Sequence, residues 1–159
     1  MTRYRLTTLL AVICAAAPLY FGLSFLLDPS GAPEGFGIEP WPTGNADGYF
    51  VVKAVRDIAS AAVMILLLCL GRRRLLGWVV LINAVIPTGD GLAVVTHCGT
   101  AATALTVHGS ALAFVLLTAA LLLTERPHAA DERDAGHLLE IHENPVVTRD
   151  SLNVNGQDT

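Results

Sequence analysis

The chain has 159 residues, 53% of them hydrophobic and only 15% charged, with a net charge of −4. A chain this short leaves much of its surface outside any core, so the apolar excess excludes an ordinary water-soluble domain and points to lipid as solvent. With no block of basic residues, nucleic acid is excluded as a partner.

The first apolar run, Leu6 to Leu27, is broken only by Thr and Ser residues and Pro18. It is long enough to cross the ~30 Å hydrocarbon layer, which needs about 20 helical residues. A cleaved leader is the rival reading, because "C-A-A-A-P" offers small residues. The length of the run, Pro18 beside that cut and the similar runs that follow favour a helix. The loop from Asp28 to Gly48 is dense in Pro and Gly, which predicts neither helix nor strand. Phe36, Ile38 and Trp41 are poor choices for a loop in water, so the loop is expected to cap the bundle mouth.

Further helices are predicted over 49–70, 75–96 and 101–123, joined by the short links "G-R-R-R" and "H-C-G-T". Short links force neighbours antiparallel, so the expected fold is all-α, a four-helix transmembrane bundle occupying 1–123. Arg3, Arg5 and Arg72 to Arg74 fall at one end, while the first loop holds Asp28, Glu34, Glu39 and Asp47 with no Lys or Arg. Positive charge marks the inner side, which predicts both termini cytoplasmic and the Pro/Gly-rich loop extracytoplasmic, in the plasma (cytoplasmic) membrane. The tail, 124–159, carries eight acidic residues against three Arg and is expected to be mostly disordered. "G-H-L-L-E-I-H" at 136–142 reads as a short amphipathic turn. His137 and His142 are five apart, off the helical metal-ligand spacing, so no metal site is expected. Cys14 and Cys69 fall in apolar segments and read as small buried hydrophobes.

Lys53, Arg56 and Asp57 lie in the first half of the second apolar segment, where a lipid-facing charge would cost at least ~2.5–3.5 kcal/mol near mid-membrane. At 1.5 Å per residue, Arg56 and Asp57 lie about 10 Å below the outer face, Asp90 about 9 Å and His108 about 12 Å. Tyr20 and Ser24 of the first helix fall near the same depth. Inward stripes are predicted at Tyr49, Lys53, Arg56 and Ser60, at Asn83, Pro87, Asp90, Val94 and His97, and at Ala101, Ala104, His108 and Ala111. Lys53 and Asp57, one turn apart, are expected to pair, and Arg56 is expected to reach Asp90 across the helices. Pro87, Gly89 and Gly91 predict a kinked, thinned helix beside Asp90 that leaves a cavity.

The pieces "Y-F-G-L-S-F-L-L-D-P", "F-G-I", "Y-F-V-V-K-A-V-R-D-I-A", "G-R-R-R-L-L-G-W", "I-P-T-G-D" and "V-H-G" follow in order. Over roughly residues 6 to 123 the chain resembles a family of small four-helix membrane proteins of unknown function, related to the DoxX-like group. The resemblance implies the bundle; the DoxX-like relation hints at redox- or quinone-linked accessory subunits.

Two functions are expected from this pattern. One is a membrane-embedded enzyme for a lipophilic small molecule. Asp57 and Asp90 would supply acid and base, His108 would shuttle the proton, and Lys53, Arg56, Tyr49, Asn83 and Tyr20 would bind the substrate. Two acids with different neighbours hold different protonation states, as isomerisation, cyclisation or epoxide opening needs. The other is a non-enzymatic accessory or transport subunit, as a homo-oligomer or with a membrane partner. A charge network that only fixes helix register is the structural alternative. No G-x-S-x-G, H-E-x-x-H, Walker loop or G-x-G-x-x-G occurs, so no cofactor is expected and no motif names the reaction.

Overall fold

The computed structural model describes residues 2–125. The chain divides into a helical unit, Met1–Thr124, and a second unit, Glu125–Thr159. The expectations for the tail, from its disorder to the turn at 136–142 and its two histidines, lie outside the described residues.

Helix α1 spans Thr2–Leu27. It begins before Leu6 because nothing from Thr2 onward breaks a helix, and its first turn is tied down. The Tyr4 carbonyl accepts the Thr8 hydroxyl at 2.9 Å, and the Arg3 guanidinium donates to the Thr124 hydroxyl at 2.8 Å. A short 3₁₀ turn, Gly44–Asp47, leads into α2, Gly48–Cys69. The third predicted helix is interrupted: α3 covers Arg73–Asn83 and α4 Val85–Thr96. The break at Ala84 has a local cause. Pro87 has no N–H to offer the Asn83 carbonyl, and the Ala84 N–H tightens onto the Leu81 carbonyl at 3.1 Å. The fourth begins as α5, Ala101–Thr103, passes through a π-helical segment, Ala104–Gly109, and continues as α6, Ser110–Leu123.

The four rods close into a ring: α1 packs on α2, α2 on α3, α3 on α6, and α6 back on α1. Small residues set the close contacts. A Cβ on Gly22 would lie 2.8 Å from the Ala54 carbonyl oxygen, and one on Gly77 would lie 3.0 Å from the Leu123 side chain. The core between the rods is built from Ala11, Cys14, Ala15, Leu76, Val80 and Ala119, with Met64 and Leu122 beside them. Outside, the bundle is apolar: Leu27 is 82% exposed and Val85 and Leu105 are each 71% exposed. Water would penalise such a surface; lipid does not.

Three segments, Arg3–Leu27, Arg73–Thr96 and Ala101–Leu123, are long and apolar enough to cross a membrane, and they mark a membrane protein. Helix α2 has 22 residues, the length of its neighbours, but carries Lys53, Arg56 and Asp57. It is a rod of the same bundle with a charged first half.

Candidate functional site

Between the rods lies a cavity of about 360 Å³. Helix α1 presents Cys14, Pro18, Phe21 and Phe25 to it, α2 presents Lys53, Asp57, Ser60 and Met64, and Asn83, Pro87 and Asp90 come from the interrupted third rod. Val107, His108 and Ala111 come from the fourth. The backbone departs from regular α-helix around this space: Pro18 sits inside α1, the third rod breaks at Ala84, and His108 lies in the π-helical segment. Such departures in a membrane protein are tolerated where they are buried in protein or line a cavity.

The stripe on α2 is rotated from the expected one. Ala54 and Ile58 meet Gly22 of α1, which turns Lys53, Asp57, Ser60 and Met64 toward the cavity. Arg56, about 200° around the helix from Ala54 at 100° per residue, points away, and its side chain is 54% exposed. The Lys53 ammonium lies 2.7 Å from Asp57 Oδ2, as the one-turn spacing predicts, and the Asp57 side chain is only 5% exposed. Arg56 Nε stands 3.6 Å from Asp57 Oδ1. The expected Arg56–Asp90 pair does not form; the guanidinium is on the wrong side of its helix. Tyr49 and Tyr20, 73% and 68% exposed, also lie outside the cavity lining.

Asp90 differs from Asp57. Among the described residues its carboxylate has neither an ion pair nor a hydrogen bond. No buried side-chain polar atom in this set lacks a partner, so the Asp90 oxygens are not sealed into packed protein; they open onto the cavity that Asp90 lines. Next to it, the Ser60 hydroxyl donates to Asn83 Oδ1 at 2.9 Å, joining α2 to α3.

The first loop closes over this space. His108 Nε2 donates to the Phe36 carbonyl at 3.0 Å, and the two rings meet edge to face with centroids 4.9 Å apart. The glycines flanking Phe36, Gly35 and Gly37, have φ of 82° and 101°, a region open to glycine and costly for other residues. Gly37 also lies so near α5 that a Cβ there would be 2.6 Å from Thr103 Cγ2. Ile38 and Trp41 are half-buried with it.

Phe25 was not among the expected site residues, yet its ring centroid is 5.1 Å from the Lys53 ammonium, with Phe36 at 5.7 Å. A signal for it exists: Cys14, Pro18, Phe21 and Phe25 follow steps of four, three and four, the pattern of one helix face. His97 stays at the exposed end of α4, its Nδ1 3.0 Å from the Ala93 carbonyl. Cys69 and Cys98 are exposed free thiols and Cys14 is buried. No group of three or more His, Cys, Asp or Glu among the described residues is placed to hold a metal ion.

A family described as "Domain of unknown function (DUF4267)" matches residues 15–122, a span that holds every residue of the polar cluster, and the chain belongs to that family. No curated protein and no solved structure matches it.

Proposed function

We propose that this DUF4267 protein is a membrane-embedded acid–base enzyme for a lipophilic small molecule, of the isomerase, cyclase or epoxide-opening type. The observation that carries the reading is the unequal pair of acids in one mostly apolar chamber. Asp57 is held by Lys53, while Asp90 opens onto the cavity with neither an ion pair nor a hydrogen bond among the described residues. Asp90 is then the group that exchanges a proton with the substrate, and the Lys53–Asp57 pair supplies a fixed dipole facing it. Asn83 Nδ2 offers a hydrogen bond to a substrate oxygen, and the Ser60 hydroxyl, donating to Asn83 Oδ1, fixes that amide. His108 holds the loop through Nε2, leaving Nδ1 for proton relay. Arginines at one end of the bundle support cytoplasmic termini and a cavity in the outer half of the plasma membrane.

Membranes holding the wild-type chain, Asp90→Asn or Asp57→Asn, extracted with organic solvent and compared by mass spectrometry, test this. The expected result is a lipophilic product present with wild type and lost with Asp90→Asn. An unchanged profile with both variants would end the proposal.

The irregular backbone around the cavity favours a second reading, a transport or accessory subunit, because interrupted helices also build transport sites. A DoxX-like, redox- or quinone-linked role belongs to this reading. It requires a stable membrane partner, visible after purification in gentle detergent.

A further inference from the structure

The titratable side chains lining the cavity include three acids, Glu34, Asp57 and Asp90, against one ammonium, Lys53, and one imidazole, His108. Arg56 is outside, beside Asp57. The chamber is also aromatic, with Phe21, Phe25, Phe36 and Phe114 in its wall. Lys53 shows what these walls do with a cation: its ammonium sits on Asp57 and faces the Phe25 and Phe36 rings. Ring faces attract cations, most strongly where water is excluded. Asp90 is the second carboxylate of the same chamber; Lys53, Arg56 and His108 act on it only at longer range, and among the described residues no cationic side chain forms an ion pair with it.

Part of the chamber wall is itself accessible at the side of the bundle. Ile13 and Phe21 of α1 and Val107 of the π-helical segment all line it, yet they are 43%, 52% and 44% exposed on the bundle surface. In a membrane that surface faces acyl chains. The outer end is roofed by Ala32, Glu34 and Phe36 of the first loop. Accessible lining residues thus lie both at the roof, at Glu34 and Gly35, and on the apolar flank between α1 and the fourth rod, and the flank is the side that acyl chains would meet.

We propose that the ligand is a lipophilic amine, an ammonium on an apolar body, which enters from the bilayer and places its charge on Asp90. About 360 Å³ is at the small end of ligand pockets, so the body is compact. This assignment rests on reading the cavity as the site of the proposed chemistry, and it names the substrate class.

Three matched probes test it by calorimetry in phosphatidylcholine nanodiscs, with empty nanodiscs as reference: phenylbutylamine, phenylbutanol and phenylbutyrate. The wild-type chain is expected to bind the amine about tenfold more tightly than the alcohol, an increment of the size expected for an ion pair with ring contacts, and the acid more weakly still. Asp90→Asn should erase the amine preference while leaving alcohol binding, and Asp90→Glu should restore it. Val107→Trp, which narrows the side opening, should slow association of amine and alcohol alike. Equal binding of amine and alcohol by wild type would overturn the amine assignment and leave the acid–base reading standing. Failure of all three probes to bind would overturn both. An unchanged association rate in Val107→Trp would overturn the sideways route.

Discussion

The two halves of the bundle solve opposite problems with the same four rods. In the half around Ala11, Ala15, Gly77 and Ala119, small residues bring helices into close contact. Polar groups there are tied off: the Arg73 guanidinium donates to the Thr7 and Thr8 hydroxyls at 2.6 and 3.0 Å and lies 4.2 Å from the Tyr4 ring centroid. In the half around Asp57 and Asp90, α1 and α2 still meet closely at Gly22 and Ala54, but a cavity lies between the rods, the backbone is irregular and the Asp90 carboxylate has neither an ion pair nor a hydrogen bond among the described residues. Helices packing in lipid gain from close contact, so a mostly apolar chamber holding charged groups works against folding, and the proposed function gives a reason for it. The half around Ala11 and Ala119 reads as scaffold, and the half around Asp57 and Asp90 holds the candidate site.

The largest effect that separates them comes from Lys53. In Lys53→Met the Asp57 carboxylate, 5% exposed, loses its 2.7 Å partner and keeps only the half-exposed Arg56 at 3.6 Å, and thermal unfolding in detergent should show a loss of about 2 kcal/mol, below that of a fully uncompensated buried charge. Combining it with Asp57→Leu should recover most of that loss, since an apolar replacement of a buried pair is often tolerated. If Lys53→Met alone unfolds like wild type, the pair is not what holds Asp57 in the chamber wall.

Glycine substitutions probe the packing contrast. Gly77→Ala puts a methyl 3.0 Å from Leu123 in the tight half and should cost about 1–2 kcal/mol in the same assay. Gly89→Ala, whose Cβ meets nothing within 4 Å, should stabilise by a few tenths to about 1 kcal/mol. A reversed order would mean that the tight contacts lie elsewhere.

A smaller change is expected at the roof. Gly37→Ala, at φ 101°, should strain the loop by about 1–2 kcal/mol. It should raise amide hydrogen exchange at Phe36 while α1 to α6 keep their protection; unchanged exchange there would detach the roof from Gly37.

The slightest effect is at Asp28, whose carboxyl is held below its ordinary pKa first by the Gly31 N–H and then by the Ser30 hydroxyl, both at 2.9 Å. A lowered folded pKa stabilises above the unfolded value, and that contribution fades as pH falls through the folded value. Acid should therefore loosen the turn at 28–31 in exchange measurements, and Asp28→Asn should remove this acid dependence.

Much of the helical framework was legible because lipid demands long apolar runs: the observed limits fall within a few residues of those read from hydropathy. The roof was legible from Phe36, Ile38 and Trp41, too apolar for an open loop, and the Lys53–Asp57 pair from its spacing. Rotation of α2 was not. The stripe Tyr49, Lys53, Arg56, Ser60 and the stripe Lys53, Asp57, Ser60, Met64 share two positions, and only the seat of Gly22 on Ala54 decides between them. That contact is tertiary, so Arg56, Tyr49 and Tyr20 were misplaced by local pattern alone. Pro87 signalled a kink, but the exact break at Ala84 depends on a carbonyl–amide exchange no periodicity records. The π-helical segment under His108 has no sequence signature at all.

The central claim is that of two neighbouring acids one is structural and the other is held open for chemistry. Thermal unfolding of Asp57→Asn and Asp90→Asn, side by side in the same nanodiscs, tests it most directly. The account predicts that Asp57→Asn melts below wild type while Asp90→Asn melts at or above it. A destabilised Asp90→Asn beside an unaffected Asp57→Asn would contradict it.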